Sequence, residues 1–335
     1  MTSACVFGCA GPVLEPAEAA FFRDARPWGF ILFGRNIETP DQVRALVASL
    51  RETVDRTDAP VLVDQEGGRV QRLGPPHWPA YPAAARFEAE LGSERAEEAV
   101  RLTMRLIAHD LREIGVTVDC APVLDVADEA THAVVGSRAY GRDPQRVAAL
   151  GRAAMEGLLA GGVAPVIKHA PGHGRARADS HFEVPVVGAS RRELAERDFA
   201  PFRALRHAPA AMTAHCLYSA IDPTRPGTIS PKVIGEIVRG EIGFDGLLLT
   251  DDLSMKALGG SFDERTRAAF AAGVDIALHC NGDLVEAQPV AEASPPLVGR
   301  SLARAQAMLA CIAGGPEEFD YEAGKARLAA MLPAA

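Results

Sequence analysis

Residues 168–181, KHAPGHGRARADSH, gather one lysine, three histidines and an aspartate into fourteen positions. Pro171, Gly172 and Gly174 exclude a regular helix through the first half, and the preceding APVI reads as a buried strand. Reactive side chains therefore hang from a strand end and a glycine-rich loop. Three chemistries suit such a stretch: metal ligation, acid–base catalysis, or the solvation of a polar surface loop.

His169, His173, Asp179 and His181 are of ligand type. Metallohydrolases built on barrels carry an H-x-H pair on their first strand, however, and ACVFGCAG near the N-terminus has no histidine. Lys168 would also repel a cation. No metal and no cofactor is expected. Asp179 and His181 flank Ser180, so in an extended segment they face the same side and the carboxylate reaches the imidazole. That contact raises the histidine pKa and fixes its tautomer, which makes a general acid near neutral pH. A local hydrogen bond on an exposed loop is the competing reading of these two residues alone.

A second reactive group ends the apolar run of GLLLTDDLSM. Asp251 has the chemistry of a nucleophile in glycosyl transfer, attacking an anomeric carbon to form a covalent ester. Asp252, one residue later, suits a cap for the following turn. Asp64, Arg72, Arg138, Lys168 and His169 add fixed donors and acceptors, as sugar hydroxyls require.

These residues need a scaffold that brings them together. Eight short apolar runs recur: Ala4–Gly8, Gly29–Phe33, Pro60–Asp64, Thr117–Ala121, Ala164–Lys168, Ala210–Ala214, Gly246–Thr250 and Asp275–His279. Apolar character on both faces suits parallel strands covered by helices. Helix starts lie between them at Thr39-Pro40, Ser93, Asp143-Pro144, Ser190 with Glu193, and Ser230-Pro231. The segment Pro16 to Asp24 carries the weakest helical pattern. Eight alternating units predict a single α/β domain, a (β/α)8 TIM-type barrel over residues 1–335, with helices from about 282 onward closing it. The reactive residues then fall at strand C-terminal ends, where barrel enzymes hold their sites. In the loop Pro171 to His181, glycines and small Ala176 and Ala178 leave few anchoring side chains, which predicts more mobility there than in the strands.

Composition narrows the partners. A net charge of −9 with no basic run disfavours nucleic acid and anionic membranes. No stretch reaches eighteen apolar residues and the N-terminus lacks a signal-peptide pattern, so a cytoplasmic protein is expected. Six scattered cysteines without a CxxC pair read as reduced thiols. A monomer acting on a small carbohydrate is the expectation.

The stretch 168–181 resembles the K-H-x-P-G-H-G…D-[ST]-H signature of family 3 β-N-acetylglucosaminidases. LVDQEGGRVQRL, GSRAYGRDP and LLTDDLSM resemble that family's other site segments in order and spacing, so the similarity runs from about residue 6 to residue 282. It implies a barrel that removes terminal N-acetylglucosamine with retention, and in bacterial cytosolic members a role in peptidoglycan recycling. The substrate there is N-acetylglucosamine joined to anhydro-N-acetylmuramic acid, with or without a stem peptide. By the same resemblance Asp251 matches the nucleophile and His181 the acid/base held by Asp179. Asp64, Arg72, Arg138, Lys168 and His169 match positions that bind the terminal sugar. Ala170 stands where a larger apolar residue is common. Longer members carry a second domain, for which this chain ends too soon. Two alternatives stay open: a phosphorylase, because a neutral histidine does not repel phosphate, and a non-catalytic sugar sensor.

Overall fold

The computed structural model describes residues 1–129, 131–132, 135–178, 180 and 183–332. Its centre is a closed barrel of eight parallel strands. They are β1 (Ser3–Gly8), β2 (Pro27–Leu32), β3 (Val61–Val63), β4 (Val118–Asp119), β5 (Ala164–Ala170), β6 (Ala210–Thr213), β7 (Leu247–Asp252) and β8 (Ile276–His279). Each pairs with its sequence neighbours, and β1 pairs with both β2 and β8, which removes every sheet edge. All eight expected strands are present. β3 and β4 are shorter than the apolar runs suggested; at β3, Pro60 has no N–H for the ladder.

The pleat sorts the side chains. Val6, Ile31, Leu62, Cys120, Val166, Met212, Leu249 and Leu278 fill the barrel interior. Their chain neighbours Phe7, Phe30, Val61, Ile167, Ala211, Leu248 and Ala277 face the surrounding helices. Side chains alternate along a strand, so two residues beyond the interior layer the same face presents Phe33, Asp64, Lys168, Asp251 and Cys280. These line the cavity at the C-terminal mouth. One parity thus packs the core and aims the reactive groups.

The surrounding helices start where the caps predict. Thr39 accepts from Gln42 N at the start of Pro40–Thr53, Asp143 accepts from Gln145 N at the start of Pro144–Ala160, and Ser190 forms a capping box with Glu193. The two helices that follow β5 and β6 depart from the expectation of regular α-helix. Leu194–Asp198 and Lys232–Glu241 have wide π-helical turns. In the first, Pro201 offers no N–H to the carbonyl of Arg197.

The C-terminal segment closes the barrel, as expected. Leu297, Ala305, Met308 and Ile312, on and beside the helix Gly299–Ala310, pack with Ala4, Val118 and Ala164 at the N-terminal end of the strands. The last helix, Tyr321–Met331, is tied to Ser93–Glu113 by the Tyr321 hydroxyl, which donates to Asp110 at 2.7 Å. Cys5, Cys9, Cys120, Cys216 and Cys280 are buried free thiols and Cys311 is an exposed one. No helix among the described residues is long and apolar enough to cross a membrane.

Asp275 fastens the base. Its buried carboxylate accepts from Arg239 (2.7 Å), Leu248 N (3.0 Å), Ser301 Oγ (2.7 Å) and Arg304 (3.0 Å). Removing it strands the half-buried Arg239, and breaking a buried pair from one side costs about 3–5 kcal/mol. Asp275→Ala is therefore expected to lower the unfolding free energy read from urea titration by that amount, and the midpoint with it. A wild-type midpoint would show that the closing helix is held by apolar packing alone.

Candidate active site

One wall of the mouth is a cluster of paired charges. The Lys168 side chain, only 1% exposed, donates to Asp64 Oδ1 at 2.7 Å and lies 2.7 Å from Glu66 Oε1. Arg138 grips Glu66 through Nε and a terminal nitrogen, both at 2.7 Å, in the bidentate geometry that suits guanidinium and carboxylate. Arg72 reaches Asp64 Oδ2 at 3.1 Å and stacks its guanidinium 5.2 Å from the Phe33 ring centre. Burial opposes the charges on Asp64, Glu66, Lys168 and Arg138, yet Lys168, Arg72 and Arg138 hold Asp64 well below the usual carboxylate range. Glu66 is lowered by Lys168 and Arg138 against the same penalty. Lys168, penalised by burial, is raised by Asp64 and Glu66.

Glu66 is the member missing from the sequence-derived set. Its signal was the D-x-E spacing, which puts Asp64 and Glu66 on one face of an extended chain. That chain folds back as an antiparallel ribbon, Gln65–Gly67 against Val70–Gln71. Gly67 and Gly68 take φ of +87° and +59°, the left-handed region that glycine enters freely. Gln65 locks the ribbon: its Oε1 accepts from Arg72 N and Leu73 N, and its Nε2 donates to Leu73 O.

β5 supplies the next group. Its register against β6 shifts between Ile167 and Ala170, and both Lys168 and His169 line the cavity. His169 Nδ1 meets Asp125 Oδ2 at 2.7 Å, while Asp125 Oδ1 accepts from His169 N (3.2 Å) and His173 N (2.7 Å). Asp125, fully buried, was not foreseen. It comes from the chain that resumes alongside β5 after Pro122, where Leu124 N donates to Lys168 O. With Nδ1 committed to Asp125, His169 keeps Nε2 for a ligand.

Residues 172–176, in the loop after β5, are anchored by groups from distant elements. Gly172 O accepts from Tyr218 Oη and Gly174 O from Thr131 Oγ1, each at 2.8 Å. Arg175 donates to the buried Asp198 at 2.8 Å, and Ala176 O accepts from His132 N. A Cβ on Gly174 would stand 2.1 Å from Val126 O. The anchors are backbone groups and residues from distant elements, which a count of local side chains does not register. Asp179 and His181, the expected acid/base dyad, lie outside the described residues; Ser180 between them lines the cavity.

Asp251 forms the opposite wall at the end of β7. Its Oδ1 accepts from Asp252 N at 2.8 Å, and Oδ2 has no hydrogen bond among the described residues. Burial pushes its carboxyl up, but the neighbouring imidazoles when charged, the Asp252 N–H and Lys168 bring it below the ordinary value. Asp252 is a cap, as its position suggested: it accepts from Ser254 N (3.0 Å), Ser254 Oγ (2.5 Å) and Cys280 N (3.1 Å).

The cavity between these walls measures about 290 Å³. That is the lower end of small-molecule sites, roughly 300–1,000 Å³, and suits one ring rather than an extended chain. Its floor is Ile31, Met212 and Leu278, and its rim is charged. A small hydroxylated ligand, held by a dense set of fixed donors and acceptors beside an ionised carboxylate, is what this arrangement can bind. Among the described residues no group of three His, Cys, Asp or Glu side chains is placed to hold a metal ion.

Comparison with known proteins gives the family. Residues 17–297 match the glycosyl hydrolase family 3 N terminal domain. A β-hexosaminidase of Pseudomonas aeruginosa is 41% identical over 286 residues, which cover 84% of this chain and 83% of that one. A β-hexosaminidase of Methylococcus capsulatus is 39% identical over 321 residues, 91% of this chain and 94% of that one. The crystal structure of NagZ from Neisseria gonorrhoeae in complex with N-trifluoroacetyl-D-glucosamine superposes with a TM-score of 0.86 at 32% identity, covering 98% of each chain.

His173 gives this site a pH signature. Burial pushes its imidazole down to about 4, against the pull of Asp125, and Nδ1 has no partner among the described residues. The unfolded chain takes up this proton near pH 6.5 and the folded one only near 4. Stability is therefore complete above pH 6.5 and falls between 6.5 and 4, by up to about 3 kcal/mol. His215, also lowered by burial, adds in the same sense. His173→Gln is expected to flatten the urea-stability profile over this window while leaving the His215 share. An unchanged slope would place the uptake elsewhere.

Proposed function

The chain belongs to glycosyl hydrolase family 3, and we propose that it is a retaining exo-β-N-acetylglucosaminidase that uses Asp251 as its nucleophile. The coarser activity, that of a β-N-acetylhexosaminidase, follows from its relatives. The observation that carries the finer reading is the position of Asp251: an ionised carboxylate facing, across a cavity of about 290 Å³, the cluster of Asp64, Glu66, Lys168, Arg138 and Arg72.

In this reading Oδ2 of Asp251 attacks the anomeric carbon as the glycosidic bond breaks, and His181 gives its proton to the leaving oxygen. Water then attacks the glycosyl ester, His181 takes its proton, and the sugar leaves with retained configuration. Asp179 orients His181. Asp64, Arg72, Arg138, Lys168 and His169 bind the terminal ring. Support for a 2-acylamino sugar comes from the N-trifluoroacetyl-D-glucosamine held by the Neisseria relative. Exo-action is supported by the small cavity over a floor of packed side chains. The substrate proposed is N-acetylglucosamine joined to anhydro-N-acetylmuramic acid, with or without its stem peptide, in cytoplasmic cell-wall recycling by a monomeric enzyme. It rests on the resemblance of KHAPGHGRARADSH, LVDQEGGRVQRL, GSRAYGRDP and LLTDDLSM to enzymes of that role.

Hydrolysis of 4-nitrophenyl β-glycosides with and without the 2-acetamido group tests the substrate class; equal rates would discard it. A fluorinated N-acetylglucosaminyl donor should label Asp251, and Asp251→Ala should lose at least about 10³-fold in turnover, as nucleophile deletions do. Label on Asp252, or turnover without any covalent sugar, would replace Asp251 by another nucleophile or by the substrate's own acetamido group. His181→Ala should slow glycosylation most for poor leaving groups. Equal slowing for good and poor ones would remove it as the acid.

A further inference from the structure

Asp251 is held by a hydrogen-bonded chain whose every direction can be worked out. His215 Nε2 lies 3.0 Å from Asp252 O. A carbonyl only accepts, so Nε2 carries the hydrogen. The ring is fully buried, and burial pushes its pKa down against the pull of Asp251 and Asp252. The imidazole is therefore neutral and Nδ1 is an acceptor. Thr228 Oγ1, 2.6 Å from Nδ1, must donate to it. Ala214 O, at 3.3 Å, is the weaker alternative for that hydrogen, and taking it would leave Nδ1 buried and unpaired. With its own hydrogen used, Thr228 Oγ1 accepts from Thr213 Oγ1 at 2.7 Å. Thr213 Oγ1 in turn accepts from Asp251 N at 3.3 Å.

The chain runs from the amide of Asp251, through Thr213 and Thr228, to His215, and returns to the carbonyl of Asp252. All three side chains are inaccessible to solvent. It grips the backbone on both sides of the bond that joins Asp251 to Asp252. The N–H within that bond holds Asp251 Oδ1. Fixing the backbone therefore fixes which carboxylate oxygen is occupied and which is free.

We propose that His215, Thr228 and Thr213 are positioning residues that select Oδ2 of Asp251 as the attacking oxygen and hold it in line with the anomeric carbon. They touch no substrate, since none of the three lines the cavity. Their effect falls on the covalent steps, in which Asp251 both attacks and leaves, and spares the clamp of Asp64, Lys168 and Arg138. The inference rests on the assignment of Asp251 as nucleophile.

Isosteric variants test it. Thr228→Val removes the hydroxyl and keeps the shape; Thr228→Ser keeps the hydroxyl. Thr228→Val is expected to lower kcat for 4-nitrophenyl N-acetyl-β-glucosaminide about 10- to 100-fold, since each tenfold corresponds to a small change in attack geometry. KM and the inhibition constant of free N-acetylglucosamine should stay within about twofold. Thr228→Ser should recover most of the rate. Thr213→Val should resemble Thr228→Val, and the double variant should be no worse than either single one, because one break opens the whole chain. Wild-type kcat in a folded Thr228→Val, equal losses in the Val and Ser variants, or multiplying losses in the double variant would overturn the proposal. If Thr228→Val does not fold, Thr213→Val and Thr213→Ser answer the same question. A wild-type enzyme that turns over without labelling Asp251 would instead refute the nucleophile assignment, so the two failures are distinguishable.

Discussion

A buried ammonium is the constraint around which the mouth is built. Lys168 is 1% exposed, and an unpaired charge at that depth costs several kcal/mol even after relaxation. Asp64 and Glu66, each 2.7 Å away, make it tolerable. They are two further buried charges, which bring in Arg72 and Arg138. The chain must then deliver five side chains from β3, the ribbon behind it, β5 and the turn at residues 136–138 to one place. Such clusters contribute little net stability. What this one provides is fixed geometry: the charges restrain one another before any ligand arrives, so binding need not order them.

The two walls of the cavity are held by different physics. The clamp wall uses ion pairs, each strong and each demanding its partner. The Asp251 wall uses neutral hydrogen bonds from Thr213, Thr228 and His215, with Asp252 capping the turn beyond. The difference matters for the two tasks proposed for these walls. A sugar clamp is served by saturated charges that present leftover donors and acceptors. A nucleophile is served by an ionised oxygen that no cation holds, and Asp251 Oδ2 is such an oxygen among the described residues.

Much of this was legible because strand pleat has a period of two. Once apolar runs locate the strands, the parity that puts Leu62, Val166 and Leu249 inside also puts Asp64, Lys168 and Asp251 at the mouth. Glu66 obeyed the same rule but was hidden by a glycine turn whose fold-back is not a periodic signal. Asp125, Thr213 and Thr228 were not legible. Their contacts bridge |i−j| of 44, 38 and 13 residues, to His169, Asp251 and His215, and nothing local marks an aspartate or threonine for such a role. The anchoring of residues 172–176 was not legible for a related reason. Glycine and alanine offer no side-chain contacts, yet their carbonyls are taken by Tyr218, Thr131 and His132.

The charge pattern also bears on why a histidine suits the acid/base role proposed for His181. Two carboxyl groups sharing a cavity raise one another's pKa, and one of them tends to hold a proton. Asp251 already carries the penalty of burial and is kept ionised by a modest set of neighbours. The strong cations nearby, Lys168 and Arg138, are largely committed to Asp64 and Glu66. A second carboxylic acid facing Asp251 would draw on that limited support and favour the protonated, unreactive form of the proposed nucleophile. An imidazole does not compete in this way: protonated, it lowers the pKa of Asp251, and neutral, it leaves it unchanged. Among the described residues the strong cations are largely committed to other carboxylates, which supports a histidine over a carboxylic acid in the proposed role.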